Sequence, residues 1–285
     1  GRAMTLDIIA VVLFAALLHA TWNFFVKRST DTFQGMASVV LGRGLLGAGA
    51  LYYFPEISIE LVFFIVVGVF LHLGYQILLL NSYRLADLTL VYPMARGSSP
   101  LIIALISIFL GVRYSTPQIL ALVLIGAGLM GISITRFHEK SMGGYKSVLL
   151  AFTTGGFIAS YSLIDGLGAR EAGTAVGYYA IVTTLNALVF GAMTRIVRPG
   201  LLGKIFSLHL GQTILGGSAS FTAYVLVIWA FTKAPIALVA SLRETSILFA
   251  LIMGIYFLQE RVTLLKLAAI LLATCGIVFL RLESS

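Results

Sequence analysis

Two short stretches of the chain set the same kinds of side chain at the same spacing within apolar runs. In "LLHATWNFF" (17–25) and "FLHLGYQIL" (70–78), a histidine is followed three residues later by a large aromatic residue and four residues later by an amide. Offsets of three and four fall on one face of an α-helix. Such a face can bind a solute with a flat apolar part and polar ends. The residues are His19, Trp22, Asn23, His72, Tyr75 and Gln76.

Four ionisable residues lie deep within apolar runs, and they are Arg43, Arg96, Arg243 and Glu244. At mid-membrane depth such side chains are costly, and they usually face a protein interior or a water-filled cavity. We therefore take them as candidate substrate-binding residues. Alternatively, Arg96 and Glu244 form a structural ion pair that does not contact the substrate.

The balance of these charges indicates the kind of substrate. Three arginines against one glutamate leave two uncompensated positive charges, and guanidinium groups bind carboxylates and phosphates through two oxygens at once. The first apolar run has no acidic residue beyond Asp7 at its end, which disfavours a cationic substrate. We expect an anionic group on the substrate.

The composition places these residues in a membrane protein. The chain has 285 residues, of which 59% are hydrophobic and 11% charged, with a mean hydropathy of +1.02. Soluble domains carry about a quarter charged residues, so the solvent must be largely lipid. The net charge of +8 comes with lysines confined to loops and span ends, as is usual beside membrane helices, and so does not indicate a nucleic-acid partner.

Ten apolar segments are long enough to cross a bilayer core of about 30 Å. The backbone must satisfy its own hydrogen bonds in lipid, which predicts an all-α integral membrane protein. The first segment has no small-residue cleavage site and is predicted to be a span, with Met4 as the expected native start. The segments are 5–26, 33–53, 60–81, 88–111, 117–135, 147–167, 174–194, 207–231, 235–258 and 264–281.

The two halves of the chain resemble each other. Residues 86–115 align with 234–263 at a shift of 148, and this shift also places Gly128 on Gly276 and Arg96 on Glu244. With five spans in each copy, the second copy enters from the opposite side of the membrane, which predicts inverted repeats around a central cavity. The predicted units are a first repeat (5–135), a linker (136–146) and a second repeat (147–281).

The repeat extends the candidate site into further helices. A third polar and aromatic face, in the fourth span, consists of Tyr92, Arg96 and Ser99 at offsets of four and three. In the second half, four residues occupy positions equivalent to those of the first two faces. Aromatic residues near span ends are instead expected at the membrane interface. A metal site is not expected, because the two histidines have no nearby free carboxylate or thiol. The added candidates are Tyr92, Ser99, Tyr161, Ser162, Ser220 and Tyr224, and the expected interface residues are Tyr52, Tyr53, Tyr178, Trp229 and Tyr256.

Two prolines flank the arginine of the fourth span. Pro93 and Pro100 enclose Arg96 and a run of Gly and Ser. Proline removes a backbone donor and frees a carbonyl, so we expect this helix to be kinked or locally unwound, as at the binding sites of many transporters. A kink that serves packing alone is the alternative.

A family resemblance rests on the last two spans of each half. "FLQERVTLLKLAAILLATCGIVFL" (257–280), its weaker copy near 109–132, and the span after "KAP" (233–235) resemble the EamA-type branch of the drug/metabolite transporter superfamily. The resemblance implies ten helices, a central cavity and export of small metabolites by alternating access. Val112 stands where the second copy has Glu260, which we interpret as a structural residue at a span end. The aromatic content is most similar to that of YddG-type aromatic amino-acid exporters.

The expected function is therefore export of aromatic and other neutral amino acids across the cell membrane. Arg96 or Arg43 would bind the carboxylate, and Glu244 or an aromatic face the ammonium. A carrier for phosphorylated or nucleotide-linked metabolites, or for other organic anions, is the alternative. A membrane enzyme would need clustered acid, base or metal ligands, and a channel would need rings of like residues. No cofactor is expected.

Energy source, topology and assembly stay open at the level of sequence. Protons could be carried by Glu244 or His72, or the protein could be a facilitator. The two sides of the membrane differ in their number of basic residues. The connections between spans 1–2, 3–4, 5–6, 7–8 and 9–10 contain 11 Lys and Arg, whereas the side of the termini contains five. This bias places the termini outside, whereas the resemblance places them inside. We expect a bacterial inner (plasma) membrane location, in a monomer or a homodimer.

Overall fold

The computed structural model describes residues 4–27, 31–54, 58–85, 88–139, 144–258 and 263–282. Throughout these ranges the regular structure is α-helical, apart from one 3-10 turn at Ile59–Leu61. Eight stretches are long and apolar enough to cross a membrane. The prediction of an all-α integral membrane protein is confirmed.

Every predicted span has a helical counterpart. The ninth span consists of two consecutive helices, α10 and α11, and a short helix, α8, lies in the connection before the eighth span. The helices are α1 (Leu6–Lys27), α2 (Thr32–Leu51), α3 (Val62–Leu85), α4 (Leu88–Phe109), α5 (Thr116–Glu139), α6 (Gly144–Ala172), α7 (Ala175–Val197), α8 (Leu201–Leu208), α9 (Leu210–Lys233), α10 (Ile236–Glu244), α11 (Ser246–Leu258) and α12 (Leu264–Leu282).

The start of α2 shows how a connection is fixed at the membrane surface. The Asp31 carboxylate accepts hydrogen bonds from the backbone N–H groups of Phe33 and Gln34, which is the usual way to satisfy the first free donors of a helix. It also pairs with Arg198, which follows α7. Burial acts to raise the pKa of Asp31, but the Gln34 N–H and Arg198 outweigh it, so the pKa is lowered. Asp31 therefore joins the ends of α2 and α7.

The local unwinding predicted as one possibility for the fourth span is not present. Helix α4 runs without a break through Pro93 and Pro100, and the small residues between them serve close packing. A Cβ placed on Gly97 would lie 3.0 Å from the carbonyl oxygen of Gly126 in α5. The break occurs in the other half, at Thr245 between α10 and α11, and Thr245 is the position that the shift of 148 relates to Gly97.

The contacts between the halves follow a two-fold pattern. Helix α2 packs on α7, α4 on α10, and α5 on α12, so that each of these helices contacts its own counterpart in the other half. Helix α1 packs on α9, and their counterparts α6 and α3 also pack on each other. This exchange of partners is the packing expected of inverted repeats.

One pair of glycines reproduces the symmetry at atomic detail. A Cβ on Gly128 of α5 would lie 3.0 Å from the carbonyl oxygen of Ala269, and a Cβ on Gly276 of α12 would lie 3.0 Å from that of Ala121. The shift of 148 that relates the glycines also relates the two alanines. Small residues allow such close approach between membrane helices, so α5 and α12 form a reciprocal contact.

A bulkier residue at Gly128 should weaken this contact. Gly128→Val places its side chain against the α12 backbone, and overpacking of this kind costs about 1–3 kcal/mol. Gly131 lies three residues further along the same helix, and no heavy atom lies within 4 Å of a Cβ placed there. We expect Gly128→Val to lower the thermal unfolding midpoint in detergent and Gly131→Val to leave it unchanged. Equal midpoints for the two variants would contradict the reciprocal contact.

Candidate functional site

The centre of the bundle holds one carboxylate between two guanidinium groups. Arg96 in α4 donates from Nη1 to Oε2 of Glu244 at 2.8 Å, and Arg243 donates from Nε to Oε1 at 2.9 Å. Glu244 is completely buried, and each arginine is 3% exposed. The predicted Arg96–Glu244 contact is present, and Arg243 joins it.

The break in the ninth span positions this cluster. Helix α10 ends at Glu244, and the Thr245 N–H closes its last turn on the carbonyls of Leu242 and Arg243. Carbonyl groups at a helix C-terminus carry partial negative charge, which favours a nearby cation such as Arg243. The end of α10 therefore presents an arginine and a glutamate to α4 at the middle of the bundle.

Aromatic and polar side chains from five helices surround the two arginines. Arg96 lies against the Tyr92 ring at 4.9 Å and donates from Nη2 to the Tyr75 hydroxyl at 3.3 Å and to Nε2 of His19 at 3.4 Å. Arg243 has its own set of neighbours. These are the Ser162 hydroxyl at 3.2 Å, the Tyr161 ring at 5.7 Å and the Tyr224 ring at 5.9 Å.

A buried aspartate that the sequence analysis missed forms a second charged network. Oδ2 of Asp165 lies 2.7 Å from Nε2 of His72 and accepts a hydrogen bond from the Tyr224 hydroxyl at 2.7 Å. Asp165 is completely buried and His72 is 6% exposed. The available signal was "YSLID", in which Asp165 follows Tyr161 by four residues and so shares its helix face.

Asp165 corrects the charge count. The expectation of two uncompensated positive charges is wrong, because Asp165 is a second buried carboxylate at this depth. Among the described residues near the centre of the bundle, the buried carboxylates are Glu244 and Asp165, and the guanidinium groups are Arg43, Arg96 and Arg243. Without the histidines, the formal charges of these five side chains sum to +1.

Tyr178 is also corrected, because it does not lie at the membrane interface. It is 1% exposed, and its hydroxyl lies 3.2 Å from Oδ1 of Asp165 and 3.2 Å from the Phe64 carbonyl oxygen. Its ring packs where Gly168 leaves room on α6. Tyr52, Tyr53 and Tyr256 are exposed as expected. Trp229 is half-buried and lines a pocket of about 890 Å³ between α6, α7 and α9.

The third predicted arginine has a neutral partner. Arg43 in α2 donates from Nη2 to Oδ1 of Asn186 at 3.1 Å, and Gln76 donates to the same oxygen at 2.9 Å. Asn186 returns a hydrogen bond to Gln76 at 3.3 Å. Asn186 was missed by the sequence analysis, although it follows Tyr179 by seven residues on α7 and so lies on the same face.

Some predicted site residues stay apart from the central charges. Asn23 donates to the carbonyl of His19 in its own helix at 2.8 Å, and Trp22 meets the His19 ring edge-on at 5.3 Å. Ser99 is completely buried, and its hydroxyl has no hydrogen-bond partner among the described residues. Glu260 lies outside the described residues.

Comparisons with known proteins agree with this architecture. Residues 145–282, in the second half of the chain, match the EamA-like transporter family. A crystal structure of a protein superposes with a TM-score of 0.75, covering 100% of this chain and 98% of the other at 16% identity. That likeness concerns the fold alone. No curated protein matches the sequence.

The geometry of the cluster predicts an order of stability. Glu244→Gln leaves two buried guanidinium groups without a charge partner, whereas Arg96→Met leaves Glu244 paired with Arg243. Because an unpaired buried charge costs about 3–5 kcal/mol, we expect a clearly larger fall in the thermal unfolding midpoint for Glu244→Gln. Glu171→Gln, at an exposed position of α6, is the control. A larger fall for Arg96→Met would show that the arginines do not share Glu244.

Proposed function

We propose that this protein is a secondary transporter that exports aromatic and other neutral amino acids by alternating access. The observation that carries the proposal is the buried Arg96–Glu244–Arg243 cluster, enclosed by tyrosine rings at the middle of the bundle. Charged residues at this depth, lined by aromatic groups, are typical of substrate sites in membrane carriers. The EamA-like match supports a carrier of small molecules.

The corrected charge count favours a substrate with a single carboxylate. One net positive charge in the described cluster balances one carboxylate, and the ammonium group needs separate partners. The ammonium group of the same substrate would find Glu244 and the faces of Tyr161 and Tyr224. A phosphate monoester carries up to two negative charges, which this cluster would balance less well. Phosphorylated metabolites and other organic anions are therefore the second candidate.

The rings provide the surface for an aromatic side chain. Tyr75 and Tyr161 lie with ring centroids 5.5 Å apart, and Tyr161 and Tyr224 lie 6.1 Å apart, in edge-to-face geometry. Edge-to-face and offset contacts at these distances are worth about 0.5–1.5 kcal/mol beyond the area that they bury. A flat side chain inserted among these rings would gain such contacts, which supports aromatic substrates over small ones.

In the proposed mechanism, the two inverted halves are the units that move relative to each other. We treat residues 5–135 and 147–281 as the two repeats, joined by 136–146. In carriers of this kind one repeat rocks against the other about a site at their interface. The Arg96–Glu244 pair joins the two repeats, so it lies where such a motion would be centred. The proposed location is the plasma membrane of a bacterium.

Transport measurements test the substrate. Purified protein in liposomes should take up labelled phenylalanine faster than alanine, and faster than a sugar phosphate. Tyr75→Ala should reduce phenylalanine uptake about tenfold and alanine uptake much less, because the lost ring contacts an aromatic side chain. Tyr52→Ala, at a position 83% exposed, should match wild type. Uptake of the sugar phosphate without the amino acids would reject the amino-acid proposal.

We further propose that protons drive the transport and that the His72–Asp165 pair carries them. Both carboxylate oxygens of Glu244 already accept hydrogen bonds from arginines, so we assign the proton to a different pair. His72 and Asp165 lie 2.7 Å apart in a buried site, where a proton taken up by the imidazole stays beside a carboxylate. The titratable groups around them are Tyr161, Tyr178, Tyr179 and Tyr224, with Arg243 beyond Tyr161.

Two assays separate proton coupling from binding. In wild-type liposomes an imposed pH gradient should accelerate phenylalanine transport. His72→Gln and Asp165→Asn should remove this acceleration while phenylalanine counterflow continues, because exchange needs no net proton movement. His209→Gln, at the start of α9, is the control. Gradient-driven transport at the wild-type rate in His72→Gln would exclude the pair as the proton carrier.

A further inference from the structure

A polar cluster separate from the Arg96–Glu244 pair lies between α2 and α7. Tyr179, Thr183 and Asn186 follow one another at offsets of four and three, so they share one face of α7. That face meets α2, because a Cβ on Gly47 would lie 2.6 Å from the Thr183 methyl group. Arg43 extends from α2 to Asn186.

Three donors of this cluster are buried without an acceptor. Nε of Arg43, the Tyr179 hydroxyl and the Thr183 hydroxyl make no hydrogen bond to any described residue. Tyr179 and Thr183 are each 1% exposed. The Tyr179 hydroxyl lies close to both Arg43 and Thr183, but these contacts leave all three groups without a hydrogen bond of regular geometry. Leaving buried donors unpaired destabilises a protein, so three such groups together indicate a site for an acceptor.

Charge identifies the kind of acceptor. Arg96 and Arg243 are paired with Glu244, whereas the oxygen that Arg43 contacts belongs to a neutral amide, which Gln76 shares. No carboxylate of the described residues pairs with Arg43. The positive charge of Arg43 is therefore not neutralised by a direct ion pair with any described residue. An acceptor that also carries one negative charge, with two oxygens for the guanidinium, fits best.

We propose that Arg43, Tyr179 and Thr183 form the subsite that binds the carboxylate of the transported substrate. This inference rests on the proposed function, and it assigns the carboxylate to Arg43 in preference to Arg96. Asn186 accepts a hydrogen bond from the Arg43 guanidinium, and Gln76 fixes the Asn186 amide through reciprocal hydrogen bonds.

The surrounding rings connect this subsite to the rest of the site. The Tyr179 ring lies 4.9 Å from the Tyr224 ring and 5.4 Å from the Phe221 ring. Tyr224 in turn lies beside Arg243, which pairs with Glu244. A substrate held by its carboxylate at Arg43 thus has an aromatic wall beside it that leads toward the Glu244 cluster.

The experiment measures binding and stability in the same variants. Tyr179→Phe and Thr183→Val remove only a hydroxyl donor and keep the volume close to that of wild type. Without ligand, we expect unfolding midpoints equal to or above wild type, because an unpaired buried donor has been removed. The Kd for phenylalanine should rise about tenfold in each variant, and Arg43→Gln should raise it further. The Kd for phenethylamine, which lacks the carboxylate, should change little.

Thr184→Val is the matched control for Thr183→Val. Thr184 is the next residue on α7, and its hydroxyl donates to the Ala180 carbonyl at 2.6 Å, so its loss should leave phenylalanine binding unchanged. The inference is overturned if Tyr179→Phe and Thr183→Val lower the midpoint and leave the Kd unchanged, which would make their hydroxyls structural. It is also overturned if Arg43→Gln binds phenylalanine as wild type does.

The same variants separate this inference from the proposed function. If wild type binds inorganic phosphate but no amino acid, and Tyr179→Phe and Arg43→Gln weaken phosphate binding, the anion subsite stands and the amino-acid proposal fails. If wild type binds phenylalanine and only variants of Arg96 weaken it, the amino-acid proposal stands and the Arg43 assignment fails.

Discussion

The Glu244 carboxylate, completely buried within a bundle of membrane helices, is the constraint on which the central structure depends. Lipid cannot solvate a carboxylate, and the energy of an uncompensated charge there exceeds that of most packing contacts. Arg96 and Arg243 supply the compensating positive charge, and each donates to a different oxygen of the Glu244 carboxylate. Because Arg96 belongs to α4 and Glu244 to α10, the requirement holds the two halves of the chain at one crossing point, around which the tyrosines are arranged.

The two-fold arrangement explains why the halves differ most where they meet. At such an axis a residue meets its own counterpart, and two identical charges would repel each other in a low-dielectric interior. The equivalent positions Arg96 and Glu244 have opposite charges. In the contact between α2 and α7, Arg43 meets the neutral amide of Asn186 and no like charge. Gly128 and Gly276 can remain identical, because small residues pack closely without a charge conflict.

The same reasoning shows how far the sequence could predict the structure. The lengths of the apolar runs predicted the spans, because spans depend on local composition. The shift of 148 predicted the Arg96–Glu244 contact, because that contact depends on the symmetry of the two halves. Asp165 and Tyr178 were missed or misplaced because each lies near the end of its predicted span. The predicted span ended at residue 167, two residues after Asp165, whereas helix α6 continues to Ala172. Asp165 therefore lies further from the helix end than the sequence indicated. The two prolines indicated a kink or local unwinding in α4, and the sequence alone does not show that Gly97 between them packs against α5.

Two tyrosines connect the two charged networks, and this connection is the physical route between them in the proposed transport cycle. The Tyr161 ring stacks on His72 at 4.5 Å and lies 5.7 Å from Arg243. Tyr224 donates to Asp165 and lies 5.9 Å from Arg243. In a buried, low-dielectric site, a change of charge in one network alters the energy of the other over such distances. A proton on His72 and a charged substrate near Glu244 would therefore affect each other without direct contact, through the rings that separate them.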